Sequence, residues 1–309
     1  MLVTELVTFD TEDGLALDGL LRYPEQAGAS PATAVLYLHG KGGGFYTGPG
    51  RWIPQSPEMQ AAPWHHFAIN MRMHHLGFSR MNAPGRPPLS NAPPQLVSAG
   101  GGMWERIAEG ILDVSAAVGW LRRRGYRDVF VVGKSSGGYY ATQYAAEVGG
   151  IAGVVLLSPV HTHRMPFPTW FATDDEREQT IARARALLAD GQGHVLIPLP
   201  EWYFAISAAS LVERADEPEG IWQDWMERIG VPLLGVFGGA EVPDTEIWRA
   251  GYESSPSPFR QIVEIPDADH SYIGGEDLVA RSVATFIHDV MSGRPGLAQP
   301  APASGQGGG

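Results

Sequence analysis

The chain has 309 residues, of which 44% are hydrophobic and 18% charged, and its 22 basic and 34 acidic residues give a net charge of −12. That length can bury a sizeable core, in one large α/β domain or two smaller ones. The acidic balance argues against nucleic acid or an anionic membrane as a partner, because phosphate groups bind basic surfaces. The absence of cysteine excludes disulfides, thiolate metal sites, Fe–S clusters and cysteine nucleophiles.

Nothing in the sequence has the character of a targeting or membrane segment. The first ten residues have neither the basic region nor the apolar run of a secretory signal, and no run of 18 apolar residues occurs. We therefore expect a cytoplasmic globular protein that contacts neither a membrane nor nucleic acid.

Strand-like and helix-like patterns alternate along most of the chain. An opening hairpin is predicted over residues 2–9 and 15–22, around an Asp-Gly turn. The buried strands predicted after it are 34–40, 66–72, 128–133, 151–159, 231–237 and 260–266. The predicted helices are 104–124, 137–147, 174–189 and 276–291. This alternation predicts an α/β fold with a mostly parallel, doubly wound sheet covered on both faces.

One long segment interrupts the alternation. Residues 160–230 separate two predicted sheet strands and contain helices of their own, which is typical of an inserted cap. The core would then be 1–159 and 231–292, with a long surface loop over 80–102, and 293–309 would be a disordered low-complexity tail. Most of the aromatic residues of the cap are expected to form its own small core: Trp170, Phe171, Trp202, Tyr203, Phe204, Trp222 and Trp225.

A pentapeptide with catalytic character follows the predicted strand 128–133. Gly133-Lys134-Ser135-Ser136-Gly137 has the pattern G-x-S-x-G and stands directly before a predicted helix. A serine on such a tight strand-to-helix turn is held above the sheet, and the glycines let the backbone pass without Cβ clashes. The pattern therefore predicts a nucleophile at Ser135.

With this motif the chain resembles the α/β-hydrolase superfamily over roughly residues 1–292. The resemblance implies an oxyanion loop after the third strand, where this chain has His39-Gly40 followed by Lys41-Gly42-Gly43-Gly44. One oxyanion donor would be the backbone N–H of Lys41 or Gly42, and the other the N–H of Ser136.

The same resemblance implies a triad in the order serine, acid, histidine. His270, between the last predicted strand and the last helix, is the expected general base, and Asp269 is read as a loop carboxylate. The expected acid is Glu241, which stands in the position of the aspartate in the family's G-x-x-D pattern, with glutamate in its place. Asp244 is the alternative acid and has a second explanation as a helix N-cap.

The other histidines form pairs at 65–66, 74–75 and 161 with 163. No carboxylate accompanies a pair at a metal-site spacing, so no metal is expected. His74, His75 and His161 follow strands, where ligands bind at the carboxyl edge of the sheet. His74 and His161 are the candidates for substrate contacts, together with Trp170 and Trp202 of the cap.

Lys41 and Lys134 are the only two lysines, and both lie inside the predicted catalytic loops. They could create a positive field that favours an anionic substrate. Lys134 is expected to point back into the protein.

Three functions fit these patterns. The first is a serine hydrolase that acts without a cofactor on an ester, lactone or thioester through Ser135, Glu241 and His270. The second is an enzyme of the same fold with non-hydrolytic chemistry, such as acyl transfer, lyase or carbon–carbon bond steps. The third is a non-catalytic binding protein, against which the complete set of triad positions argues. The acyl and leaving groups and the oligomeric state cannot be read from the sequence.

Overall fold

The computed structural model describes residues 2–25, 33–81, 97–164, 170–202, 204–241 and 244–293. Within them the strands are β1 (Leu2–Asp10), β2 (Ala16–Pro24), β3 (Thr33–Leu38), β4 (His65–Ile69), β5 (Phe78–Met81), β6 (Val97–Gly100), β7 (Asp128–Lys134), β8 (Gly153–Leu157), β9 (Leu196–Pro198), β10 (Ala205–Ser207), β11 (Leu233–Gly238) and β12 (Arg260–Ile265). The helices are α1 (Pro49–Trp52), α2 (Pro57–Ala61), α3 (Gly110–Arg123), α4 (Ser136–Glu147), α5 (Asp174–Ala189), α6 (Ala208–Ala215), α7 (Ile221–Met226), α8 (Asp244–Ser254) and α9 (Glu276–Met291). Tyr203 and nearly all of the predicted tail lie outside the described residues.

Eight strands form one sheet in the order β1-β2-β4-β3-β7-β8-β11-β12. The opening hairpin is confirmed, with Leu2 opposite Pro24 and Asp10 opposite Ala16. β2 also pairs antiparallel with β4, and the remaining strands pair in parallel. The predicted α/β class with a mostly parallel sheet is therefore correct.

Helices cover both faces of the sheet, so its central strands are buried on both sides. Every residue of β3 is buried. Its alternate side chains enter two separate cores, with Leu36 in the core that contains α3 and α4 and Val35 in the core that contains α9. This double burial explains why β3 reads as a continuous apolar run instead of an alternating one.

The predicted helix 104–124 starts later than its apolar period indicated. A 3₁₀ turn occupies Ile107–Glu109, and α3 begins at Gly110. Glu213 of α6 accepts the N–H groups of Ile107 and Ala108 at 2.8 and 3.0 Å. The backbone N–H groups at this end of the segment thus bind a side chain of α6, and the regular α-helix begins only after them.

The insertion after β8 divides its hydrophobic residues between two cores. α5, β9, β10 and α6 enclose a small core with fully buried Phe171 and Leu211. Trp222 and Trp225 of α7 pack instead in the main core beside α4. The expectation that most of these aromatic residues form the small core is confirmed by Trp170, Phe171, Trp202 and Phe204. The two tryptophans of α7 are exceptions because α7 lies against the body of the protein.

The predicted surface loop 80–102 is partly regular. Its two ends belong to an antiparallel hairpin in which β5 pairs with β6. Residues 82–96 lie outside the described residues.

Among the described residues, no helix is long and apolar enough to cross a bilayer.

Candidate active site

The strand order reverses direction between β3 and β7, and this is where the predicted catalytic loops meet. Chain segments that follow β3 run toward β4 on one side, and those that follow β7 run toward β8 on the other. Such a reversal leaves a crevice at the carboxyl ends of the strands. The loop after β3 and the turn after β7 touch there, since a Cβ on Gly40 would lie 3.0 Å from the Cβ of Ser135.

Ser135 occupies a strained turn between β7 and α4. Its φ of 55° and ψ of −123° lie in a region that residues with a side chain rarely adopt. The turn is held by neighbours, because Ser135 N–H donates to Leu157 O at 3.0 Å and Ser135 O accepts from Val160 N–H at 3.0 Å. A Cβ on Gly137 would lie 2.5 Å from His39 O, so only glycine allows α4 to approach β3 this closely. The local geometry is the sharp strand-to-helix turn, or elbow, that the G-x-S-x-G pattern predicts.

His39 is a structural residue of the loop after β3. Its Nε2 accepts the Met71 N–H at 3.0 Å, so Nδ1 carries the proton and donates to Gly40 O at 2.7 Å. Burial lowers the pKa of the imidazole to about 4. The ring is therefore neutral, and its two nitrogens hold the loop through hydrogen bonds to the backbone of Gly40 and Met71.

Of the two loop N–H groups predicted as oxyanion donors, one is already engaged. Gly42 N–H donates to Met73 O at 3.2 Å. Of the two predicted loop donors, the Gly42 N–H thus already has a backbone acceptor. Ser136 begins α4, where the first N–H groups have no partner within the helix, and so retains the geometry expected of the second donor.

Glu241 and His270 are in direct contact at the same edge of the sheet. His270 Nδ1 lies 2.7 Å from Glu241 Oε1, and Gly238 N–H donates to Glu241 Oε2 at 2.8 Å. Ser158 Oγ also donates to Oε2. Burial alone would raise the pKa of the Glu241 carboxyl, but the hydrogen bonds from His270, Ser158 and Gly238 outweigh it and lower the pKa.

The side chains of Glu241 and His270 differ in their exposure to solvent. The Glu241 side chain is 9% exposed and that of His270 49% exposed, so the carboxylate is enclosed while the imidazole opens to solvent. A Cβ on Gly238 would lie 2.2 Å from Ala268 O, so glycine is needed for the end of β11 to meet the His270 loop. The other nearby carboxylate, Asp269, accepts the N–H of Ser271 at 2.8 Å, as a loop carboxylate would.

Asp244, the alternative acid, begins α8. It lies near His161: burial lowers the pKa of the His161 imidazole, and the negative charge of Asp244 opposes that shift. Asp244 thus acts electrostatically on a different histidine from the one that Glu241 contacts.

Glu105 was missed by the sequence analysis, yet it organises the charges behind the loop after β3. Its buried carboxylate accepts Lys41 Nζ at 2.6 Å, Arg214 Nη2 at 2.5 Å and Tyr140 OH at 2.6 Å. Burial and the Arg214 charge lower the pKa of Lys41 to about 8, against the pull of Glu105. The Lys41 ammonium is therefore paired with a carboxylate and does not present the unopposed positive field considered above.

Lys134 is in a different environment. It is half-buried, and burial lowers the pKa of its ammonium while the charges of Glu241 and Asp269 oppose the shift. Its ammonium is thus within electrostatic reach of the carboxylates around His270.

The predicted substrate contacts lie in three separate places. His74 bonds Met71 O through Nδ1 at 2.8 Å and stacks on Phe78 at 4.3 Å. Trp170 and Trp202 stack at 5.9 Å beside the small core of the insertion. His161 opens on a cleft of about 410 Å³. The other residues that line this cleft are Thr162, Arg164, Glu219, Gly220, Trp222, Gln223 and Ile247.

The remaining paired histidines have structural surroundings. His65 and His66 are buried in β4 and bond the hydroxyls of Tyr126 and Tyr37 at 2.7 and 3.0 Å. His163 is buried 4.3 Å from the ring of Tyr139. Among the described residues, no three His, Asp or Glu side chains are grouped so as to hold a metal ion.

No protein-family model and no curated protein sequence matches the chain, but many solved structures do. The esterase Pf2001 of Pyrococcus furiosus is 19% identical, with a TM-score of 0.55, over 93% of this chain and 92% of its own. Dienelactone hydrolase of Anabaena variabilis is 17% identical, with a TM-score of 0.56, over 93% of this chain and 97% of its own. The α/β hydrolase GrgF of a Penicillium species is 15% identical, with a TM-score of 0.64, over 94% of this chain and 99% of its own. Together with the strand order and the elbow, these matches show that the chain has the fold of the α/β-hydrolase superfamily.

Proposed function

We propose that the protein is a serine hydrolase that cleaves an ester, lactone or thioester of a small organic molecule. The observation that carries the proposal is the 2.7 Å contact between His270 Nδ1 and Glu241 Oε1, at the sheet edge where Ser135 occupies a strained elbow. Two of the structural neighbours are named as an esterase and a dienelactone hydrolase, which is in keeping with this reaction class.

The chemistry follows from the hydrogen bonds. A carboxylate only accepts, so the contact with Glu241 places the proton of neutral His270 on Nδ1 and leaves Nε2 as a base. Nε2 then takes the proton of Ser135 as its Oγ adds to the substrate carbonyl. The backbone N–H groups of Lys41 and Ser136 bind the developing oxyanion. His270 returns the proton to the leaving group, and water cleaves the acyl-enzyme by the same steps in reverse.

The first test is covalent labelling with a fluorophosphonate, followed by peptide mapping and a panel of ester, lactone and thioester substrates. The proposal predicts a label on Ser135 and turnover of part of the panel. A label without turnover would favour the non-hydrolytic enzyme, and absence of label would favour a binding protein. Both results contradict the hydrolase proposal.

The second test uses single and double variants of the triad positions. Ser135→Ala and His270→Ala should each reduce kcat by roughly 10⁴-fold or more, and the double variant should be little worse, because the two residues act as a unit. Circular dichroism and melting curves check that each variant is folded. Modest losses that multiply in the double variant would contradict the assignment.

A further inference from the structure

Two hydroxyl groups lie behind Glu241, on the side away from His270. Ser158 Oγ donates to Glu241 Oε2, and the Tyr272 hydroxyl lies 2.5 Å from Ser158 Oγ and 2.8 Å from Val236 O. Both residues are fully buried. Because Ser158 follows β8, Tyr272 follows β12 and Val236 belongs to β11, this chain of hydrogen bonds joins three neighbouring strands around one carboxylate.

Both hydroxyl-bearing residues have unusual backbones. The φ angles of Ser158 and Tyr272 are 40° and 59°, in the left-handed region that favours glycine. Ser158 is held there by its N–H, which donates to Val236 O at 2.8 Å. Strained residues of this kind persist where the surroundings enforce them, and they cluster at functional sites.

The protons in this chain can be assigned by counting donors. An ionised carboxylate only accepts, so the single hydroxyl proton of Ser158 goes to Glu241. The Ser158 oxygen is then an acceptor, and the Tyr272 hydroxyl is the donor that faces it. The single hydroxyl proton of Tyr272 is shared between two acceptors, Ser158 Oγ and Val236 O. The Tyr272 hydroxyl therefore connects Ser158 to β11.

We propose that Ser158 and, through it, Tyr272 are positioning residues that hold Glu241 in place for His270. Oε2 is occupied by Ser158 and by Gly238 N–H, which leaves Oε1 to the imidazole. A carboxylate fixed at one oxygen presents the other in a single orientation, and this keeps the His270 tautomer and ring plane constant through turnover. The inference rests on the proposed function, because positioning matters only if His270 acts as a base.

The experiment compares Ser158→Ala, Ser158→Gly and Tyr272→Phe on the best substrate of the panel. Loss of a hydrogen bond to a charged group should lower kcat by about 10- to 100-fold in both Ser158 variants, with KM little changed. Tyr272→Phe should cause a smaller loss in the same direction. If backbone strain were the cause, Ser158→Gly would retain activity, since glycine adopts a positive φ freely.

The pH profile distinguishes positioning from a general structural role. Without the Ser158 hydroxyl, the Glu241 carboxylate loses one of the hydrogen bonds that lower its pKa. The acid limb of kcat/KM, which reports protonation of the Glu241–His270 pair, should therefore move to higher pH in Ser158→Ala and less in Tyr272→Phe. A merely destabilised enzyme would lose activity without this displacement.

The chain offers a matched control for each variant. Ser255 is a buried serine whose hydroxyl donates to Ile229 O at 3.2 Å, away from Glu241. Tyr252 is a buried tyrosine whose hydroxyl has no hydrogen-bond partner within the described chain. Ser255→Ala and Tyr252→Phe should leave kcat and the pH profile unchanged. A loss in these controls equal to that in the test variants would overturn the proposal.

A readout other than activity separates this inference from the proposed function. The Nδ1 proton of His270, bonded to a carboxylate, should give a far-downfield NMR signal that Glu241→Gln removes. In Ser158→Ala this signal should move upfield and broaden. A shifted signal in a protein that cleaves no substrate of the panel would show that Ser158 orients the Glu241–His270 pair, while the proposed hydrolase function would be overturned. If Ser158→Ala is active and its NMR signal, kcat and pH profile are unchanged, the positioning role is overturned and the proposed function is retained.

Discussion

At the scale of single residues, Glu241 and Asp244 are only three positions apart, yet their surroundings differ. Glu241 accepts hydrogen bonds from Gly238 N–H, Ser158 and His270, and its side chain is enclosed. Asp244 begins α8, where a carboxylate is favoured by the helix dipole whatever its other roles. This contrast makes the choice of the acid testable with two isosteric substitutions.

We expect Glu241→Gln to lower kcat by roughly 10³- to 10⁴-fold, because a neutral amide no longer stabilises the imidazolium and can favour the wrong tautomer. Asp244→Asn should change kcat by less than about twofold, in line with surface substitutions away from the chemistry. Steady-state kinetics on one substrate measures both. The opposite result would reassign the acid to Asp244 and leave the roles of Ser135 and His270 unchanged.

The ion pair of Lys41 shows that the role of a side chain depends on partners from distant parts of the chain as well as on the loop that carries it. The sequence placed the ammonium beside the proposed nucleophile, but Glu105, 64 positions further along the chain, neutralises it. Arg214 brings a second cation to the same carboxylate from α6. The side chain of Lys41 therefore links the loop after β3 to the insertion, while its backbone N–H remains the proposed oxyanion donor.

At the scale of secondary-structure elements, α7 and α6 belong to different cores although the chain passes directly from one to the other. Trp222 of α7 is 1% exposed in the main core and donates its indole N–H to Thr142 at 3.2 Å. Leu211 of α6 is fully buried in the small core of the insertion. Loss of either side chain should therefore destabilise a different part of the molecule.

We predict that Trp222→Ala lowers the global free energy of unfolding by about 3–5 kcal/mol, the usual cost of removing a large buried side chain. Leu211→Ala should instead reduce hydrogen-exchange protection over residues 174–215, with a smaller effect on the global transition. Urea unfolding and hydrogen-exchange mass spectrometry provide the two measurements. Equal global losses in the two variants would mean that the insertion and the sheet unfold as one unit.

At the scale of the whole molecule, burial of neutral histidines links stability to pH. Burial lowers the pKa of His66 to about 3 and that of His39 to about 4, against an ordinary value near 6.5. Between these values and 6.5 the unfolded chain binds protons that the folded chain does not. The stability that each neutral ring contributes is thus fully present above pH 6.5 and is lost as pH falls toward the folded-state pKa.

For each such histidine, the free energy of unfolding should change by about 1.4 kcal/mol per pH unit, the value for a difference of one bound proton. His66→Gln should reduce the loss of stability between pH 6.5 and 4 by about one histidine's share, so the difference from wild type isolates this residue. Urea midpoints at a series of pH values give the measurement. Parallel pH curves for the two proteins would contradict a neutral His66.

Local pattern was sufficient to predict the eight strands of the main sheet and the helices α3, α4, α5 and α9. β3 and β7 were recognisable because strands buried on both faces are apolar throughout, and the elbow because a strand, a short glycine-containing turn and a helix follow within a few residues. The strand and elbow signals each lie within about ten residues, which a single sequence can show. His270 and Glu241 were predicted from the positions that the resemblance to the α/β-hydrolase superfamily implies for the base and the acid.

Only the tertiary structure decided which residues surround those groups. Ser158 and Tyr272 are 114 positions apart, and Glu105 lies 109 positions from Arg214. Neither pair has a spacing that a periodic pattern could reveal, since these contacts depend on how strands and helices are packed. The same reason explains the late start of α3 and the placement of α7, where packing against distant elements outweighed the local apolar period. The sequence thus determined the strands of the main sheet and their order along the chain, and the fold determined which buried donors meet the Glu241 carboxylate.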